Sequence, residues 1–329
     1  MCTAISDGRL CGRTLDLEYS YGEQVVITPR DFPFTFRYEG AMPTHPAIIG
    51  MAHVADGIPL YYDAMSETGL AVCGLRFATS CVYHPPRAGR HNLASYELIP
   101  RLLGVCRTVE DAVAFLKDVT VTPDSISPDL PTVPLHWLVA DRKRAVVVES
   151  VAEGLAVYDD PVAIMTNQPP FPYHMARLAE MASLSSAPAN NTLCPTVGME
   201  PPLGTGSVGL PGDTTSSSRF LRAVYAKYQT LPTDAPTDGR ASTPWAAVSR
   251  FFHLMDTVSV PRGCAVTADG HATETVYTAC MDLSTCTYYF TTYGCRRIRG
   301  VAMGDTIREG TRLRAFPIGR DEDILMLPG

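Results

Sequence analysis

No two cysteines in this chain are spaced C-x-x-C, although there are ten of them. That removes the usual signature of a structural zinc site. The N-terminus has no basic stretch followed by an apolar one, so no export signal is expected. Without export, and at a length of 329 residues, a disulfide framework is not expected either. No apolar run reaches the length of a membrane span, so no membrane partner is expected. Positive charge is not in excess. The net charge of −7 favours solubility and makes no electrostatic case for nucleic acid. No charge block or low-complexity boundary divides the chain, so residues 1–329 read as one domain. The cytoplasm is the default location. Neither a metal nor another cofactor is called for.

What is present is an ordinary globular composition, 46% hydrophobic and 19% charged, enough for a large core. Most of the cysteines read as small buried hydrophobes. The sequon at Asn190, Asn191 and Thr192 carries no meaning in a cytosolic chain.

The first third reads mainly as strands, at 24–28, 47–52, 60–65 and 69–75. Two helices come next. One covers about 95–105, and one starts at Thr108, where Asp111 completes a capping box. Strands return at 135–140 and 145–149, on either side of the polar turn DRKR, and again near 154–158 and 162–166. Helices are expected at 173–182, 217–228 and 245–255. Thr243 is expected to cap the last of these, and Pro244 suits its first turn. Val248, Phe251, Phe252 and Met255 share one face of it. Strands at 274–281, 285–292 and 297–303 close the chain. This order fits layered α+β better than a regular βαβ array.

Residues 184–215 are rich in Ser, Pro, Gly and Asn, with no periodicity. They contain Gly204-x-Gly206-x-x-Gly209, which superficially matches a dinucleotide fingerprint. That motif must follow a strand and open a helix. Here two prolines precede it, and Pro211 breaks the stretch after it. The segment reads as a mobile loop, and nucleotide binding is rejected.

The opening, MCTAISDGRLCGRTLD, places a cysteine directly after the initiator. If Met1 is removed, Cys2 carries a thiol and a free α-amine on one residue. An α-amine titrates near neutrality and can act as base for its own side chain. A neighbouring arginine favours the thiolate, and a carboxylate can orient the amine. Arg13 and Asp16 supply these groups if residues 3–17 form a hairpin, which the turn SDGR at 6–9 supports. Taken alone, Cys2 reads more simply as an unprocessed second residue, with Arg13 and Asp16 as surface charges.

Five further stretches change that balance: YYDAMSETGLAVCGL, LHWLVADRKRAVVVE, MTNQPPF, GLPGDTTSSSRFLR and VYTACMDLSTCTYYFTTY. With MCTAI and GRTLDLEYSYGEQVVITPR they resemble the choloylglycine hydrolase family. These N-terminal-nucleophile enzymes include bile salt hydrolases and penicillin V acylases. The resemblance covers nearly the whole chain in the expected order and implies a four-layer αββα fold within the α+β class. It implies Cys2 as nucleophile, Arg13 and Asp16 as its charged neighbours, Asn167 as an oxyanion donor and Arg219 as the second active-site arginine. Arg219 is also odd on its own, being a cation in the first turn of an expected helix, where the dipole disfavours it.

Arg76 departs from the pattern. Bile salt hydrolases commonly carry asparagine there, and penicillin acylases often tyrosine. The family uses the backbone N–H at this position in the oxyanion hole, and any residue but proline keeps that donor. The long cation bears on substrate choice instead. It either meets an anionic amino-acid moiety or turns to solvent.

The expected substrate is a glycine- or taurine-conjugated bile acid. Its apolar body would be lined by Leu15, Leu17, Tyr19 and Met65, together with the 184–215 loop. The alternatives are a penicillin V or N-acyl-homoserine lactone acylase with the same chemistry, and a non-catalytic ligand-binding homologue. The resemblance also implies a homotetramer.

Overall fold

The N-terminal hairpin turns at the expected place. Gly8 takes a φ of 91°, in the left-handed region open to glycine, and the Asp7 carboxylate accepts from the backbone N–H groups of Arg9 and Leu10. The two strands, β1 (Cys2–Ser6) and β2 (Leu10–Leu17), pair with Cys2 opposite Leu15 and Ala4 opposite Arg13. Directly opposed residues share a face of the sheet, and neighbours alternate. Cys2, Ala4, Arg13 and Leu15 therefore lie on one face, and Thr3, Thr14 and Asp16 on the other.

The computed structural model describes residues 1–231, 243, 245–319 and 321–328. After the hairpin come β3 (Gln24–Thr28), β4 (Phe34–Phe36), β5 (Gly40–Met42), β6 (Ile48–Ala55), β7 (Ile58–Ser66) and β8 (Ala71–Arg76). The chain continues with β9 (His91–Ala94), α1 (Leu98–Val105), α2 (Val109–Leu116), β10 (Val119–Thr122), β11 (Leu135–Ala140), β12 (Ala145–Val151), β13 (Gly154–Asp159) and β14 (Ile164–Met165). The last third holds α3 (Phe171–Glu180), α4 (Ser216–Gln229), α5 (Ala246–Asp256), β15 (Glu274–Asp282), β16 (Thr287–Thr292), β17 (Arg299–Ala302), α6 (Asp305–Arg308) and β18 (Arg314–Pro317).

Two large antiparallel sheets result. One has six strands in the order β14-β1-β2-β15-β16-β17, the other eight in the order β13-β12-β11-β8-β7-β6-β3-β18. Ile5, Leu15 and Tyr277 from the first share a core with Ile27, Met65, Cys73 and Leu138 from the second, joined by Phe171, Phe220 and Phe251 from α3, α4 and α5. The far face of the eight-stranded sheet packs Val72, Trp137 and Val148 against Leu102 and Ala112 from α1 and α2. The layers thus run helices, sheet, sheet, helices. No helix among the described residues is long and apolar enough to cross a membrane.

Most expected elements appear within a few residues of their expected bounds. Thr108 caps α2 by accepting from the Asp111 N–H, as its capping box requires. The expected cap of α5 does not form. Its N-terminal cap is Trp245, with no side-chain bond, and Thr243 accepts from Ala246 N–H through its carbonyl. Pro244 lies outside the described residues. The strand expected over 162–166 shrinks to two residues because Asp160 ties the preceding turn, accepting from Val162, Ala163 and Ile164 N–H. In the 184–215 segment the Gly204–Gly209 stretch holds a single 3-10 turn, with no strand before it.

Candidate active site

The β1–β2 hairpin carries chemistry on both faces. On the face toward the eight-stranded sheet, Arg13 reaches the Cys2 thiol, with Nη2 2.6 Å from Sγ. Both side chains are buried. Arg13 is held where the second sheet comes apart. The β7–β8 ladder runs only to Asp63 opposite Cys73. A bulge between Met51 and Ala52 in the β6 register leaves Tyr62 as an extra residue on β7, and bulges end pairing and re-aim groups. The carbonyls freed there, Gly74 and Tyr62, accept from Arg13 Nη1 at 2.6 and 3.4 Å. Burial alone would favour the neutral guanidine. The surrounding Cys2, Tyr277, Asp63 and Cys73 outweigh it and hold Arg13 above its ordinary pKa.

On the opposite face, Asp16 accepts from Thr275 Oγ1 at 2.7 Å and from Thr14 Oγ1 at 3.2 Å. Burial raises its pKa, against the opposing pull of Arg219, the chain N-terminus, Thr275 and Arg13. Arg219, from the first turn of α4, is fully buried. Its Nη1 donates to the Cys2 carbonyl and to Thr3 Oγ1, and its Nη2 donates to Asn167 Oδ1 at 2.7 Å. Burial lowers its pKa, opposed by Asp16 and Cys2.

Asn167 follows β14 and closes the site. Its Oδ1 accepts from the Cys2 backbone nitrogen at 2.7 Å as well as from Arg219. Two donors on that oxygen fix the amide orientation, since a flip would set an NH₂ against them. Its Nδ2 donates one hydrogen to the Arg76 carbonyl at 2.8 Å, and an amide nitrogen carries a second. Phe77 N–H bonds across to Pro134 on the β11 side. Backbone groups alternate along an antiparallel strand, so the N–H and C=O of Arg76 both point away from β11, toward Asn167. Two donors converge there.

Met1 is present, and its amine donates to the Asp16 carbonyl at 2.6 Å. The Asp16 N–H in turn donates to the Met1 carbonyl at 2.9 Å. Cys2 nitrogen is therefore a peptide nitrogen in this form.

Of the six residues expected from sequence, Cys2, Arg13, Asn167 and Arg219 are joined by direct contacts, and Asp16 is linked to them through Thr14 and the Thr3 N–H. Arg76 joins through its backbone, while its side chain is exposed. Its charge acts on Tyr21, whose hydroxyl is pushed up to about 12 by burial and by the bond to Tyr19, with Arg76 pulling the other way. The four apolar positions do not form one surface. Leu15 and Met65 are buried between the sheets, Leu17 is half-buried and Tyr19 is exposed. Leu15 is drawn inward by its place opposite Cys2, and Met65 by pairing with Ile49 and Ala71 in mid-sheet.

Several buried polar groups behind the site escape a sequence reading. The Asn167 carbonyl is held by His174 Nε2 at 3.0 Å and Ser216 Oγ at 2.8 Å. Glu149 accepts from Phe171 N–H and meets His136 Nδ1 at 3.1 Å. The His136 ring stacks on Phe77, with centroids 4.4 Å apart. This pair thus backs both the Arg76–Phe77 strand end and the helix that follows Asn167. Burial lowers the pKa of both histidines. The available signal was a lone acid or histidine inside an apolar strand, which must find a partner when buried. Among the described residues, no group of three or more His, Cys, Asp or Glu could hold a metal ion.

The model of linear amide C–N hydrolases, choloylglycine hydrolase family, matches residues 2–309. The chain belongs to the choloylglycine hydrolase family. It is an amide-cleaving hydrolase. It is 38% identical over 322 residues to a bile salt hydrolase/transferase of Lactiplantibacillus plantarum, covering 97% of each chain. It is 30% identical to a bile salt hydrolase/transferase of Clostridium perfringens, covering 96% of each. Among solved structures, a variant of the conjugated bile acid hydrolase of C. perfringens superposes with a TM-score of 0.87 at 28% identity, over 100% of both chains. Penicillin V acylase from Agrobacterium tumefaciens shares the fold, with a TM-score of 0.72 at 19% identity, over 97% of this chain and 92% of that one. The αββα order of layers is the N-terminal-nucleophile hydrolase fold of these relatives.

Proposed function

We propose that the mature chain, beginning at Cys2, hydrolyses the amide of glycine- or taurine-conjugated bile acids. The observation that carries this reading is the Cys2 thiol on the Arg13 guanidinium, 2.6 Å away. A buried cation beside a thiol favours the thiolate, the nucleophilic form.

The Cys2 thiolate adds to the amide carbonyl carbon, and the carbonyl electron pair moves onto oxygen. That oxyanion takes hydrogen bonds from Asn167 Nδ2 and the Arg76 N–H. Such donors are typically worth about 2.7–4 kcal/mol each in the transition state. The Cys2 α-ammonium gives a proton to the departing nitrogen as the C–N bond breaks, leaving a thioester. The α-amine, now neutral, takes a proton from water as the oxygen attacks the thioester. The C–S bond breaks, the thiolate returns and the acid leaves. Asn167 Oδ1 holds the amine, and Arg219 and Asp16 hold its surroundings.

Relatives named for bile salt hydrolysis at 30–38% identity support the substrate class. The penicillin V acylase likeness supports only the fold. Leu17, Tyr19 and the 184–215 loop are the proposed lining for the apolar body of the substrate. Residues 1–329 are treated as one domain, a reading supported by a shared core that runs from Cys2 to Ile318. A cytoplasmic homotetramer is proposed from the family resemblance, and light scattering tests the assembly.

Glycocholate, taurocholate, penicillin V and an acyl-homoserine lactone assayed side by side test the function. Turnover of the two bile salts well above the other two is expected. Binding without turnover in all four would make the chain a ligand-binding homologue. Intact mass of active protein should lack Met1, and full activity with Met1 retained would overturn the amine's role.

A further inference from the structure

Among the described residues, the hydrogen bonds of Arg13 go to no carboxylate. Its hydrogen-bond partners are the Cys2 thiol and the carbonyls of Thr14, Gly74 and Tyr62. In the proposed mechanism, the thiolate charge is consumed when the thioester forms. A fully buried arginine would then touch only neutral groups, and an uncompensated buried charge is strongly unfavourable.

Asp63 lies next along β7 from Tyr62, whose carbonyl Arg13 touches. It is fully buried on the inter-sheet side. Tyr277 from β15 donates to its Oδ2 at 2.6 Å, and Tyr288 from β16 donates to its Oδ1 at 2.5 Å. The carboxylate thus spans the gap between the two sheets. We infer that Asp63, held as an anion by these two hydroxyls, is the standing counter-charge of Arg13 and keeps the site balanced while Cys2 is acylated. Asp63 is a positioning residue in this scheme, since it touches neither Cys2 nor substrate.

The surroundings fit an anion. The ionisable groups acting on Asp63 include Arg13 on β2, Tyr277 and Tyr288, Asp63 acts in turn on Cys73 on β8, and Glu23 acts on Tyr277. Burial and Asp63 together hold both tyrosines well above their ordinary range, so they remain donors. Burial pushes Asp63 toward the neutral acid and on balance leaves its pKa raised, while Arg13, the two hydroxyls and the Met51 N–H act the other way. Two donors, one on each oxygen, are what a carboxylate accepts without giving a proton.

The inference rests on the proposed mechanism, and its test keeps the two separable. Asp63→Asn keeps the shape and removes the charge. In mature enzyme, the rate of Cys2 alkylation by iodoacetamide is followed against pH by mass. The half-maximal point should move down by about half a unit or more, because with one anion gone the thiolate meets less repulsion and a larger share of Arg13's charge. With glycocholate, kcat should fall by about tenfold or more while KM stays within about twofold, because the acyl-enzyme is now the uncompensated state. Tyr288→Phe removes one donor from Asp63 and should move both readouts the same way by less. It carries the test if Asp63→Asn fails to fold.

A fall in kcat with the alkylation profile unmoved would overturn the inference and leave Asp63 a structural tie between sheets. An upward move would overturn it too. If the wild type turns over no glycocholate, the function reading fails, while the alkylation profile still decides whether Asp63 balances Arg13.

Discussion

The two faces of the β1–β2 hairpin each bury one arginine completely, and the two are built differently. Arg13 faces the second sheet and meets the thiol itself. Arg219 faces the helices and meets everything around the thiol: the Cys2 carbonyl, Thr3 and the Asn167 oxygen. Their electrostatics diverge accordingly. The surroundings of Arg13 lift it above its ordinary pKa against burial, whereas burial wins at Arg219. The lesson is a division of labour across one strand. Arg13 on the inner face bonds the sulfur, and Arg219 on the outer face bonds the Cys2 carbonyl and the Asn167 amide oxygen.

The change that should erase the comparison altogether is Cys2→Ser. A hydroxyl in place of the thiol should lower kcat by about three orders of magnitude or more while bile salt binding survives in calorimetry. Serine at Cys73 or Cys280, both buried away from solvent, should spare kcat and show in thermal stability instead. Normal turnover in Cys2→Ser would remove the covalent route.

Asn167→Ala attacks the outer face. It should cost kcat about a hundred- to a thousandfold through loss of one oxyanion donor, with the circular dichroism spectrum unchanged. Near wild-type kcat would place the oxyanion hole elsewhere.

Lysine in place of each arginine sharpens the contrast. Arg13→Lys keeps a charge but loses the fork that spans Sγ and the strand carbonyls. The pH midpoint of Cys2 alkylation should rise, and kcat should fall by about tenfold or more. Arg219→Lys should also lower kcat, yet leave that midpoint in place. Identical profiles for the two variants would mean that the faces are not distinct.

The smallest effect is expected at the rim. Arg76→Asn should raise KM for conjugated bile acids about tenfold, the scale of one charge-assisted hydrogen bond. A neutral amide analogue of the same bile acid should change little. An equal effect on both would show that Arg76 does not read the anion.

The inner and outer faces were unequally legible in the sequence. The hairpin could be read because SDGR is a turn with a mechanism, and its register then places Arg13 and Asp16 on opposite faces. The four-layer fold came from the resemblance, and element order alone left it at α+β. Asp63 and Glu149 were not legible as site groups. Alternation separates buried from wet positions only when one sheet face is solvated. The eight-stranded sheet is covered on both faces, so a polar residue in it gives no sign of which side it serves. The α5 start was misread for another reason. Thr243 and Pro244 look like a local signal, but a helix packed through Phe251 and Met255 does not depend on its cap.

The Met1 contacts with Asp16 run in both directions, one bond from each backbone. They add a rung to the β1–β2 ladder beyond the Cys2–Leu15 pair. If Met1 is removed, that rung goes with it, and the new amine inherits the bond that the Cys2 nitrogen already makes to Asn167 Oδ1. The hairpin thus carries a clamp at its open end, and cutting the clamp away frees an end that is already tethered.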